Sequence, residues 1–424
     1  MKKIGVALLG LGTVGGGTYR ILEKNHDAIK KHDGVDIEIR HIIERDTDKA
    51  AALGADMSTV GTDIEKVVND KDTKIVAEFF GGIEPARTFL IKCLLAGKDI
   101  VTSNKELFAK YWPELETAAK KGKAGLYFEA SCVGGVPIIR TLTQSMQGNN
   151  IQSLIGIVNG TTNFILSKMT DEGSDYSEAL KETQRLGYAE ANPAADVDGF
   201  DSMYKLSILS SLAFHTKVPT SAIYREGISG IDKIDIEYGK KLGYTLKLLA
   251  IAKRVGTKIE ARVHPAFIPD GHPLASVKSN FNAVFINGDN VGDIMLYGKG
   301  AGDLPTGSAI VSDIVFAANC RKPQYVSFKN VNEYNPNNFS KNFRCRYYIR
   351  MEVKDRPGVL AKIAAAFGRY RISINSMQQI AGEEKATLIF LIHETYENDI
   401  TKAVGEIRKL DCIDKINAVI RVES

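Results

Sequence analysis

The chain has 424 residues, 44% hydrophobic and 25% charged, with 55 basic against 51 acidic side chains; at roughly 100–200 residues per domain that is room for two to four domains, each with its own core. A net charge of +4 with no dense Lys/Arg block excludes an electrostatic binder of nucleic acid or membrane. Five cysteines, widely spaced and without a C-x-x-C, exclude a disulfide framework or a structural zinc site and point to a reduced, cytoplasmic chain.

The opening MKKIGVALLGLGTVGGG imitates a signal peptide, but the apolar run breaks into glycines with no cleavage site. No stretch reaches the ~18 apolar residues of a membrane span. Residues 1–130 alternate short apolar runs, at 4–9, 36–43, 75–80, 99–101 and 125–128, with helical patterns near 14–30, 62–69, 85–96 and 105–121. That alternation predicts an α/β, Rossmann-type doubly wound parallel sheet. Residues 131–303 predict an α+β domain with a mixed open sheet. Its helices are expected at 161–172, 177–186, 200–214 and 239–252, and its strands at IQSLIGIVNG, KIEARVHPAFI, FNAVFINGD and VGDIMLYGKG. A further apolar-faced helix at 304–320 is expected to pack back on the first domain. Residues 321–345, rich in Asn, Pro and charge, read as a linker. Residues 346–424 then read strand, helix, strand, strand, helix, strand, a ferredoxin-like βαββαβ unit.

Four places carry chemistry, the first being the glycine loop together with the end of the second strand. The first strand runs into GLGTVG at 10–15 and then a helix. Gly10 suits the tight turn, Gly12 the approach of a pyrophosphate and Gly15 close helix–strand packing, which together make a dinucleotide site. The second strand ends in HIIERD. Glu44 suits a ribose hydroxyl and Arg45 a 2′-phosphate, so the choice between NAD and NADP stays open. In VTSNKELFA, Lys105 follows a strand at a helix entry, either at the ligand crevice or on a surface helix. In FEASCVGGVP, Glu129 precedes glycines and a proline, either a plain turn or one carboxylate with carbonyls around a cation. Cys132 has no neighbouring histidine and reads as structural.

The fourth is LGYAEANPAADVDGFDSMYK at 186–205. Asn192-Pro193 leaves Glu190 on a loop. Asp201 and Lys205 stand i and i+4 on one helix face, continued by Ile208, Leu209 and Leu212. This is either an exposed ion pair or a partly buried lysine able to exchange protons near neutral pH.

Together GLGTVG, VTSNK, FEASCVGGVP, IVNGTTNFIL, LGYAEANPAADVDGFDSMYKL and GKGAGDLPTGSAIVSDI resemble, in this order, the homoserine dehydrogenase family over most of 1–320. The tail, through DRPGVLAKIAAAF and ISIN, resembles an ACT domain, an amino-acid-sensing module. The resemblance implies reversible hydride transfer between NAD or NADP and L-homoserine/L-aspartate 4-semialdehyde, on the route to threonine, methionine and isoleucine. It implies Lys205 as the proton carrier and Lys105 beside cofactor and substrate. Glu190, Asp196 and Asp201 become substrate-binding acids, with Asp198 a bystander. Cofactor contacts fall at Gly10, Gly12, Thr13, Val14, Gly15, Gly187 and Gly302, with Arg45 at the 2′-phosphate. A sodium site falls at Glu129 with the carbonyls of Cys132, Gly134 and Val136. A homo-oligomer, dimer or tetramer, inhibited by threonine or a relative through the tail, is also implied. Two rivals exist. Aspartate-semialdehyde dehydrogenase needs a cysteine–histidine pair, which is not found. A non-catalytic ACT-linked sensor predicts loss of Lys105 or Lys205, and both are present.

Overall fold

The computed structural model describes residues 2–326, 335–382 and 384–423. Its contacts sort the chain into two compact units. The first comprises Met1–Gly160, Asp201–Ser221 and Asn280–Pro336; the second comprises Thr161–Phe200, Ala222–Ser279 and Asn337–Ser424. The expected domain at 131–303 is therefore divided between the two.

In the first unit, β1 (Lys2–Leu9), β2 (Val35–Ile43), β3 (Val60–Gly61), β4 (Thr73–Glu78), β5 (Asp99–Thr102) and β6 (Leu126–Tyr127) form a parallel sheet in the order β3-β2-β1-β4-β5-β6. Successive residues Val6, Ala7, Leu8 and Leu9 are all fully buried. A strand covered on both faces needs such an unbroken apolar run, which is why the sequence does not alternate there. The helix Asp303–Asn319 supplies Ile310, Ile314 and Ala317 to the core that holds Ile4, Val6 and Leu8, so it completes this layer from far along the chain. Strand order reverses beside β1, which places the loops after β1 and β4 at the crevice where such sheets take ligands. A three-stranded antiparallel ladder, Ile151–Ile157, Phe281–Gly288 and Gly292–Lys299, belongs to the same unit.

In the second unit, the expected helix at 239–252 is a strand. A helix occupies Lys233–Lys241, Gly243 takes φ +80, and Tyr244–Val255 pairs antiparallel with Lys258–Pro269 along its whole length. Residues 246–252 are buried one after another. A continuous apolar run has no period by which helix and strand differ, and here the pairing partner decides. The tail forms the antiparallel order Ile413–Val422, Arg344–Lys354, Lys385–Tyr396, Ile374–Ala381. Helices Val359–Arg369 and Glu397–Ile407 share one core with Ile349, Met351 and Phe390. This is the βαββαβ unit. Part of the expected linker, 327–334, lies outside the described residues.

The tail is joined to the rest of its unit through backbone and charge. One edge of Lys258–Pro269 is covered in turn by Phe339–Ser340, Tyr224–Arg225 and the end of Ile413–Val422. The buried Arg350 forks onto Asp235, with Nε at 2.6 Å from Oδ1 and a terminal nitrogen at 2.9 Å from Oδ2, while Tyr348 donates to the same carboxylate at 3.0 Å. Arg262 is held by Glu423 at 2.7 Å. Such bidentate pairing offsets the cost of burying the charges.

Candidate active site

The loop after β1 turns at Gly10, whose φ of +98 is costly for any residue with a side chain. A Cβ on Gly15 would lie 2.2 Å from the Gly10 carbonyl oxygen, so helix and loop touch there through backbone alone. Above Gly12, the N-cap of the helix Thr13–Asp33, a Cβ would meet nothing within 4 Å, and no side chain caps that helix. Thr13 and Val14 begin its first turn. Free amide N–H groups, the positive end of a helix dipole and open space over a glycine fit the pyrophosphate of a dinucleotide.

Glu44 does something that the sequence reading left out. One carboxylate oxygen accepts from Leu11 N–H at 2.7 Å, and the other accepts from Arg45 and Asp46 N–H at 2.9 and 3.0 Å. Partial burial alone would raise its pKa, but these three donors outweigh that and lower it. Glu44 is thus the clasp of the glycine loop, while Arg45 beside it is exposed. Gly302, φ +123, is the N-cap of the helix Asp303–Asn319 in the same unit.

At the ends of β4 and β5 a second clasp shapes the turn that carries Lys105. Glu78 is fully buried and accepts from Thr102 Oγ1 at 2.5 Å. Thr102 in turn accepts from Asn104 N–H at 3.0 Å, and Asn104 caps the helix Lys105–Gly122 by accepting from Leu107 N–H at 3.1 Å. Burial pushes the Glu78 carboxyl up to about 7 against the donors that oppose it. The folded state therefore holds a proton that the unfolded chain gives up near pH 4.5. The stabilisation is complete below that value and is lost as pH rises to about 7. Glu78→Gln should remove this slope and be more stable than wild type at pH 8, by on the order of 3 kcal/mol. Urea titrations at pH 5 and pH 8 check this, and parallel curves for the two proteins would contradict it.

The Asp201–Lys205 pair is inside the protein. Asp201 is 6% and Lys205 8% exposed. Lys205 Nζ lies 2.7 Å from Asp201 Oδ2 and donates to the Val158 carbonyl at 2.8 Å. Asn159 Nδ2 donates to the same Asp201 oxygen at 2.9 Å, and Lys105 Nζ lies 3.1 Å from the other one. Burial alone would raise the Asp201 pKa; Lys205, then Lys105, outweigh it and hold the carboxyl well below its usual range. One carboxylate thus brings together two ammonium groups from helices distant in sequence. Tyr204, one residue before Lys205, donates to Glu106 at 3.4 Å, a second tie between these helices.

Cys132 is buried, its thiol pushed up to about 12 by burial, which fits a packing role and not a nucleophile. The Glu129 carboxylate is engaged by backbone donors, which gives the implied cation site no support. Its oxygens accept from Ile139 N–H at 2.6 Å and Arg140 N–H at 2.9 Å, so it caps the start of the next helical turn. Burial, reinforced by the neighbouring Asp313, pushes it up to about 7. The Val136 carbonyl already accepts from Ile138 N–H at 2.8 Å, and Gly134 approaches Gly300 so closely that a Cβ would lie 2.4 Å from its backbone. Among the described residues no group of three or more His, Cys, Asp or Glu is arranged to hold a metal.

Gly187, Glu190 and Asp196 belong to the second unit. Gly187, φ +76, follows the helix Tyr176–Arg185; Glu190 is exposed, with its carbonyl accepting from Gln184 Nε2 at 3.0 Å; Asp196 lies in the short helix Ala194–Val197. Asn159, Asn104 and Glu78 are the side chains that sequence reasoning missed. The last has a signal, an acid closing an otherwise apolar run in a central parallel strand.

A family model described as "Homoserine dehydrogenase, NAD binding domain" matches residues 10–129, one described as "Homoserine dehydrogenase" matches 137–315, and an ACT domain model matches 347–412. Among curated relatives, the homoserine dehydrogenase of Neisseria gonorrhoeae is 40% identical over 100% of this chain and 99% of its own, and that of Bacillus subtilis is 38% identical with the same coverage. A crystal structure of a homoserine dehydrogenase from Thiobacillus denitrificans superposes with TM-score 0.92 at 40% identity, covering 100% of this chain and 99% of that one. A hyperthermophilic archaeal homoserine dehydrogenase in complex with NADPH aligns at TM-score 0.63 and 28% identity, covering 74% of this chain and 97% of that one.

Proposed function

Because the chain belongs to the homoserine dehydrogenase family of oxidoreductases, we propose that Lys205 moves the proton in its interconversion of L-homoserine and L-aspartate 4-semialdehyde. The observation that carries this reading is the buried Asp201–Lys205 pair, reached from its exposed side by the partly exposed Lys105. The nicotinamide, when bound, supplies or takes the hydride. As the aldehyde is reduced, negative charge grows on its oxygen, and the Lys205 ammonium gives that oxygen a proton. In the reverse direction the neutral amine takes the hydroxyl proton. Asp201 fixes the Nζ atoms of both lysines, and the second ammonium, on Lys105, keeps the surroundings favourable to an oxyanion. Glu190 and Asp196 stay substrate-binding candidates on the family motif alone. The sodium site implied by the resemblance has no part in this reading, since the Glu129 carboxylate is committed to backbone N–H groups. An assay of homoserine-dependent reduction of NAD and of NADP tests the reaction; no reduction of either would sink it.

For the cofactor we favour NADP. Glu44, the residue that would read a ribose hydroxyl, is spent on the glycine loop, and Arg45 is left exposed beside it. Arg45→Ala should raise KM for NADP about tenfold or more while leaving KM for NAD within about twofold. Equal KM changes for the two would overturn the preference. The ACT domain supports amino-acid regulation. A cavity of about 370 Å³ lined by Asp355, Arg356, Gly358 and Gln379 in the tail is the candidate effector seat, and titrating the assay with L-threonine tests that effector.

A further inference from the structure

The helix that begins with Lys105 carries Pro113 in its interior, and Tyr111 there leaves helical geometry at φ −120, ψ 15. A proline at this position has no N–H for the carbonyl four residues earlier, and its ring pushes that carbonyl away. The carbonyl is Ala109's. Lys217 Nζ donates to that same oxygen at 3.1 Å. We propose that Lys217 is a positioning residue for the reaction: it replaces the hydrogen bond that Pro113 removes and so anchors the first turns of this helix, from which Lys105 reaches Asp201.

The lysine is delivered on a rigid base. It follows the helix Phe200–Phe214, which carries Asp201 and Lys205. The next residue, Val218, is pinned back onto that helix at both its backbone groups: its N–H donates to Ser211 Oγ at 2.9 Å, and its carbonyl accepts from Ser207 Oγ at 2.6 Å. Both serines are fully buried. The stem of Lys217 is partly exposed, but its amine sits 5.1 Å from the centre of the Trp112 ring, and desolvation pushes it down to about 8. A neutral amine keeps N–H groups, so the bond to Ala109 survives either protonation state. The Lys105 helix is thus tied to the helix Phe200–Phe214 by Lys105–Asp201 and Glu106–Tyr204, and to the segment that follows it by Ala109–Lys217. The last tie falls where the Lys105 helix lacks its own support.

This inference rests on the role proposed for Lys105, and the test separates the two. Lys217→Met keeps the stem and removes the donor. It should lower kcat at saturating substrate between about tenfold and a hundredfold, with KM for homoserine changed by less than about threefold, because the reacting groups are misplaced and not lost. Pro113→Ala in that background returns an N–H to Ala109 and should recover most of the lost kcat. If Lys217→Met alone is insoluble, a soluble and active double variant reads the same coupling. Unchanged kcat in Lys217→Met overturns the proposal, and so does a loss that Pro113→Ala does not reverse. Lys105→Met, measured in parallel, reports on the site itself: normal turnover there would sink the role of Lys105, whatever Lys217 does.

Discussion

Lys205→Ala should lower turnover by about 10²- to 10⁴-fold while the protein melts as a folded species. The lysine is 8% exposed and its head binds Asp201 and the Val158 carbonyl, so truncation removes the proton carrier and one partner of a buried pair, while Asp201 keeps Lys105 and Asn159. Lys205→Arg separates charge from proton transfer. A guanidinium keeps the positive charge but does not release its proton near neutral pH. It should therefore be nearly as slow as alanine. Single-turnover kinetics with saturating NADP, alongside circular dichroism, decide the matter; turnover within an order of magnitude of wild type in either variant would refute the assigned role.

Asp201→Asn is expected to damage activity and stability together. The carboxylate is 6% exposed and is shared between Lys105, Lys205 and Asn159. Neutralising it leaves the buried Lys205 ammonium without its counter-charge and facing the partly exposed one of Lys105. Removing one partner of a buried pair costs about 3–5 kcal/mol. We expect that loss in urea unfolding at pH 7 and a fall in kcat/KM of about 10²-fold or more. The sign with pH follows from the depressed pKa of Asp201. Its contribution is present above the ordinary carboxylate value of 3.8 and fades only as pH falls below it toward the lowered one. Wild type and Asp201→Asn should therefore converge in stability only in strong acid. A difference that is constant from pH 3 to pH 8 and small would show that the pair is not the centre of the cluster.

The parts of this site that were readable in the sequence are those set by local spacing. GLGTVG after a first strand, and Asp201 four residues before Lys205 on an apolar stripe, each needs one element and its period. Even so, the sequence left the ion pair open between surface and interior, because the covering residues, Val158 and Asn159, come from another part of the chain. The sequence leaves Glu44 open between a ribose and solvent and Glu129 between a cation and a plain turn; both bind backbone N–H groups. That difference depends on where the peptide groups of residues 11 and 139–140 arrive, which no local pattern states. The strand Tyr244–Val255 was misread for a related reason, since an unbroken run such as LKLLAIA fits a buried helix as well as a buried strand. In the tail, alternation and turn signals agree at every step, and all six elements were legible.

The strand Lys258–Pro269 has a further consequence for any attempt to remove the amino-acid regulation proposed above by shortening the chain. Cutting away residues 346–424 would unzip Arg421–Val422 from that strand and strip Arg262 of Glu423. The result would be unpaired amide and carbonyl groups at one end of that edge beside a guanidinium left with Glu260 alone, an invitation to clumping. The proposed effector seat is better tested by single replacements around Asp355 and Arg356, which leave the seam closed.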